Sequence, residues 1–162
     1  MTSKNHLLAR LKTIALSGIT AGTLDISGAI VVNVVILNKT SAVRILQSIA
    51  SGAFGKQAYT GGMETAFFGI LFHYFIATSF AAAYFLIFPT IPFLRKQKIL
   101  SGLLYGIVVW MIMNLVVLPL SKLTMPPFTV QGVLIGVGLL MFLIGLPISL
   151  ITHKYYSAKE MM

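Results

Sequence analysis

The sequence contains no cysteine. That excludes disulfides, thiolate metal sites, cysteine nucleophiles and anchoring through a lipidated cysteine. Charge is almost as scarce: 9% of residues are Asp, Glu, Lys or Arg, and three of the 162 are acidic. With so few carboxylates, and no nucleophile-and-base constellation beside them, hydrolytic catalysis has no residues to perform it, and no enzyme activity is expected. No polar stretch is long enough to house a large water-soluble domain.

What is present is apolar. Hydrophobic residues make up 57% of the chain and gather in four runs: Ile14 to Leu37, Met63 to Phe88, Ile99 to Leu120, and Val130 to Ile151. Each can cross a hydrocarbon core of ~30 Å at ~1.5 Å rise per residue. Runs this long and uniform favour helices over barrel strands, because in lipid every backbone polar group must be paired internally. The expected fold is all-α, an integral membrane four-helix bundle forming one domain over 1–162. The first run follows Lys4, Arg10 and Lys12, as a secretory signal would. It is too long for one and continues into Asn38, Lys39 and Thr40, so it reads as a retained span.

The net charge of +9 does not point to nucleic acid, because the basic residues sit at the ends of the runs. Lys4, Arg10, Lys12, Arg95, Lys96, Lys98, Lys154 and Lys159 fall on one side, and Lys39, Arg44, Lys56 and Lys122 on the other. The positive-inside rule then places both termini in the cytoplasm, with anionic lipid headgroups as the partner of the positive charge. Between the first two spans, residues 41–55 read as a short amphipathic interfacial helix: Arg44, Ser48, Ser51 and Gly55 share a stripe, with Ile45, Leu46, Ile49 and Phe54 elsewhere. It serves either as a connector resting on the membrane or as a lid over an external cavity, hinged at the glycines around it. Pro89 and Pro92 end the second span before a basic turn, and Pro126 and Pro127 stiffen the connection at 121–129. Phe128, Tyr155 and Tyr156 fit an interfacial aromatic belt.

Small residues encode the packing. Three runs carry glycines four apart, Gly18 with Gly22, Gly102 with Gly106, and Gly132 with Gly136, so helix backbones can approach closely there. Leu16-Ser17-Gly18 is echoed by Leu100-Ser101-Gly102, and each run later holds an asparagine, Asn33 and Asn114, the pattern of a parallel repeat of two hairpins.

Within the first run Asp25 has no ionisable neighbour. A carboxylate so placed costs at least ~2.5 kcal/mol even on lenient insertion scales and needs a partner. The expected partner is His73. Asp25 shares its helix face with Gly18, Ala21, Gly22, Gly28 and Ala29, and His73 shares its own with Ala66, Gly69, Ala77, Phe80 and Tyr84. Asp25 lies 11 residues from Ile14 and His73 10 from Met63, so the two fall at one depth. Together they form either a proton relay or a structural pair that fixes which helices pack. Glu64, Asn33 and Asn114 fall nearer the external surface and are expected to line a vestibule. One histidine and one carboxylate are an incomplete ligand set, so no metal is expected, and no haem or other cofactor.

The stretch from His73 to Ala77, continuing through Phe80, Ala81, Tyr84, Pro89, Gly102 and Gly106 to Pro119-Leu120 and Pro126-Pro127, resembles the YagU-like family of small bacterial inner-membrane proteins. The resemblance covers roughly the second and third spans. It implies a multi-helix inner-membrane protein and no particular activity. The expected function is a structural or accessory subunit with a buried Asp–His pair, in a homo-oligomer or a larger membrane complex. The alternative is a proton-coupled transporter or channel for a small solute.

Overall fold

The computed structural model describes residues 3–123 and 129–160, with side chains over 5–123 and 129–158. The expected stiff turn at Pro126-Pro127, with Phe128 beside it, lies outside the described residues. All regular structure within them is helical.

Four helices are long and apolar enough to cross a membrane, the architecture of a multi-pass membrane protein. Helix α1 runs from Ser3 to Ile30 and widens into a π-helical stretch, Val31–Ile36. Helix α2, Ala42–Phe54, is the short amphipathic one, and α3 is an unbroken α-helix over Gly62–Ile87. A one-turn helix, α4 (Pro92–Lys96), starts with its proline in the first turn, where a missing N–H costs nothing. Helix α5 spans Lys98–Ile112, a π stretch at Met113–Val117 and a last turn at Leu118–Leu120. Helix α6 spans Val130–Leu139, a π stretch at Leu140–Gly145 and Leu146–Glu160. Helices α1 and α6 outrun their apolar runs at the basic ends. Long cationic side chains allow this, since their stems lie along the bilayer while the charge reaches water.

The π stretches have local causes. Pro119 and Pro147 offer no N–H to the carbonyls of Leu115 and Leu143, and each of those carbonyls falls inside a π stretch. The two asparagines add to this: Asn33 Nδ2 donates to the Ala29 carbonyl and Asn114 Nδ2 to the Trp110 carbonyl, both at 2.9 Å. Each side chain thereby takes the acceptor that the α-ladder would use. Helix α1 ends at Asn38, whose φ of 49° is a left-handed turn that asparagine tolerates.

Helices alternate in direction, so both termini lie at one end, called here the terminal end; α2 marks the opposite, lid end. Helix α1 packs against α3 on one side and α6 on the other, and α6 packs against α5. Glycine makes each seam. Gly18 meets Thr78 of α3, and Gly22 meets Tyr74 and Ala77. Gly28 faces Leu143 of α6, while Gly102 and Gly106 lie against the backbone of α6 around Leu140–Leu146, where Gly145 answers them. Gly136 faces the Trp110 indole. Gly132 differs from the packing role expected of it: its nearest neighbour is Thr129, whose hydroxyl accepts from the Gly132 N–H as the N-cap of α6. The reason is position, since Gly132 sits in the first turn, before α6 has met another helix. Gly69, on the face of His73, lies against the backbone of α2 at Leu46.

Candidate functional site

The terminal half of the bundle is closed by a buried polar chain. Ser149 Oγ donates to the Lys98 carbonyl at 2.6 Å, Tyr84 Oη donates to Ser149 Oγ at 2.8 Å, and Ser101 Oγ lies 2.9 Å from Tyr84 Oη. The order of donors is forced, because a carbonyl can only accept. Tyr105 donates to the Phe80 carbonyl at 2.7 Å, and its ring lies edge-on to that of Tyr84 with centroids 4.7 Å apart. These contacts fasten α3, α5 and α6 to one another. The repeat expected from Ser17 and Ser101 finds the two serines in unlike settings: Ser101 belongs to this chain, whereas among the described residues the buried Ser17 hydroxyl has no partner, and neither has that of Thr152 on α6.

Above that layer lies a cavity of about 100 Å³, and Asp25 and His73 both line it. The rest of its wall is apolar and comes from α3, α5 and α6, with Ile49 of α2 from above. The two polar residues thus share one chamber, as their matching depths predict. They are not a hydrogen-bonded pair. His73 Nε2–H donates to the Gly22 carbonyl at 2.8 Å. That carbonyl is reachable because Gly22 has no side chain to cover it. Thr23 and Tyr74 share a hydroxyl contact of 2.8 Å beside it, so α1 and α3 are joined at this level without the carboxylate. Among the described residues no hydrogen bond or ion pair holds Asp25.

Helix α2 lies across the lid end. Ser41 caps it, accepting from the Arg44 N–H. The polar stripe read from its sequence is only partly outward: Ser51, with Gln47 and Ala50, is buried against the bundle. Gln47 Nε2 donates to the Gly62 carbonyl at 3.0 Å, and Lys122 N–H donates to the Gly52 carbonyl at 2.9 Å, so one face of α2 is tied to the start of α3 and the end of α5. Whether it rests on the membrane as a connector or covers the cavity below, α2 is fixed to the bundle at both of these points.

Between α1 and α2 a second, polar cavity of about 490 Å³ opens at the lid end, lined by Asn33, Thr40, Arg44, Ser48 and Tyr59 among others. The Arg44 guanidinium stands over the Tyr59 ring at 4.9 Å. Of the expected vestibule residues only Asn33 belongs here. Asn114 turns back on its own helix, and Glu64 is exposed in the first turn of α3, where the helix dipole favours it. Arg44 and Ser48, which do line it, were marked in the sequence by the polar stripe of α2, whereas Tyr59 carried no signal beyond lying in the first loop. A third, apolar groove of about 510 Å³ runs between α3 and α5 under α2. It shares Ile49, Ile76 and Met113 with the chamber of Asp25 and His73. Ile76 and Met113 are apolar positions in apolar runs and Ile49 one of several on α2, and nothing in the sequence could mark them.

No group of three or more His, Asp or Glu residues that could hold a metal ion is found among the described residues. Comparison with protein families, with curated proteins and with solved structures finds no match to this chain.

Proposed function

We propose that the chain is a bacterial inner-membrane carrier, with both termini in the cytoplasm, that couples movement of a small solute to protons through Asp25 and His73. One observation carries this reading. The Asp25 carboxylate lines a chamber at mid-bundle, and among the described residues none donates a hydrogen bond to it. A carboxylate kept for packing alone would be fully paired, since leaving it unpaired inside a membrane costs several kcal/mol. A carboxylate that must exchange a proton for another ligand is left accessible. His73 is the one other titratable group lining the chamber, and its Nδ1 is the ring nitrogen free to pass a proton once Nε2–H is held by Gly22.

The test is flux in proteoliposomes loaded with a pH-sensitive dye, under an imposed pH gradient and a panel of solutes. Asp25→Asn abolishes the proton-linked signal of the wild-type protein; an unchanged signal, or none from wild type, sinks the proposal.

The second reading, an accessory subunit of a larger membrane complex, is favoured by the His73–Gly22 bond, which has the character of an interhelical tie. It accounts for His73 and leaves Asp25 unexplained. It expects co-purification with a defined partner in mild detergent, and a clean homomeric particle would count against it. Membership of the YagU-like family, proposed on the second and third spans, supplies no activity to either reading.

A further inference from the structure

We infer that the solute is a lipophilic organic cation that enters sideways from the bilayer, through the groove between α3 and α5, and pairs with Asp25. This rests on the reading of Asp25 as the working group and names the substrate class for it.

The helices are fastened unevenly. At the terminal end Tyr84 and Tyr105 bridge α3 to α5 and α6. Towards the lid the two helices part, and the groove opens with Phe72, Phe75 and Ile76 on one wall and Met113, Val117 and Leu118 on the other. Its outer edge faces lipid: Phe75 is 73% exposed on a helix that crosses the membrane. Its volume of about 510 Å³ falls in the ~300–1,000 Å³ range of drug-sized ligand sites. The groove and the Asp25 chamber share Ile49, Ile76 and Met113 as a common wall, so side chains that can change rotamer, not backbone, stand between the groove and the carboxylate.

Chemistry selects the occupant. Among the described residues no lysine or arginine lines the groove or the chamber, and Asp25 is the one acidic group in either. An anionic ligand would meet an unpaired carboxylate at close range in a low dielectric, and a small polar solute would have to shed its water in an apolar slot. A cation whose charge is shielded by apolar groups avoids both costs. The phenylalanines on the route add attraction, since a cation over an aromatic face is favoured most where water is excluded. Helix α2 roofs the lid end of the groove through Ser48, Ile49, Gly52 and Ala53, held there by Gln47 and Lys122, so the way in is left to the flank between α3 and α5.

The test is equilibrium binding of tetraphenylphosphonium to the purified protein in neutral detergent, with tetraphenylborate as an anion of the same shape. Wild-type protein binds the phosphonium and not the borate. Asp25→Asn weakens binding by roughly a hundredfold or more, as loss of a buried charge partner does. Asp25→Glu recovers part of it, Val117→Trp fills the groove and abolishes binding, and the exposed Glu64→Gln leaves it intact. Equal binding of the two probes, or full affinity in a stably folded Asp25→Asn, overturns the inference. Should Asp25→Asn fail to fold, Val117→Trp decides: undiminished binding there overturns it as well. Asp25-dependent proton flux without phosphonium binding would overturn this inference and leave the carrier; binding without proton flux would overturn the carrier and leave the site.

Discussion

At the scale of single residues, the buried hydroxyls divide into those with partners and those without, and the two groups have opposite consequences. Tyr84→Phe removes the donor to Ser149 and the partner of Ser101, both fully buried, and should lower stability by about 1–2 kcal/mol. Thr152→Val keeps the shape of a fully buried side chain and removes an oxygen that nothing satisfies, so it should be neutral or stabilising by up to ~1 kcal/mol. Thermal midpoints of the two variants in one detergent check both signs. Asp25 and His73 were legible in the sequence because helical rise turns residue number into depth, and the small residues beside each marked its inward face. Their lack of a mutual hydrogen bond was not legible. It depends on the Gly22 carbonyl standing open to His73, and a carbonyl has no letter in the sequence.

At the scale of elements, the glycine pairs gave away the seams while their distribution in space stayed hidden. Gly18 and Gly22 serve α3, whereas Gly102 and Gly106 serve α6, and Gly145, outside any such pair, completes that second seam. A methyl group at Gly106 or Gly145 would collide with backbone of the facing helix, and Gly106→Ala should cost ~1–3 kcal/mol through overpacking. Gly138, with nothing within reach of an added Cβ, should accept alanine with a gain of up to ~1 kcal/mol in helix propensity. Unfolding of both variants by denaturant tests the contrast. The π stretches went unread because a 3.6-residue period was assumed throughout each run. Pro119 and Pro147 were the available signal, each standing just beyond the stretch it causes. An extra residue shifts helical phase by about 100°, so faces drawn beyond Met113 or Leu140 from the sequence alone point the wrong way. The lid helix misled because Gln47 and Ser51 are polar and buried, donating to the Gly62 and Ser48 carbonyls rather than to water.

At the scale of the whole molecule, the number of spans and the shared end of the termini followed from the apolar runs and the placement of lysine and arginine, while α1 and α6 run past their apolar runs at the basic ends. The order of the helices around the bundle did not, because side-chain hydrophobicity in a membrane does not distinguish lipid from protein as a neighbour. The lid makes a prediction at this scale. Its ties to Gly62 and from Lys122 join three helix ends, so Gln47→Ala should raise amide exchange along α2 and at the start of α3 while leaving α5 near Ser101 protected, measurable by exchange mass spectrometry. Uniform exchange in the variant would show that α2 is no separate unit. The opening between α3 and α5 faces the hydrocarbon rather than either aqueous phase. What such a site meets is the concentration of a compound dissolved in the bilayer, so its occupancy follows the membrane partition coefficient, and ligands ranked by aqueous affinity would change order once ranked by their concentration in lipid.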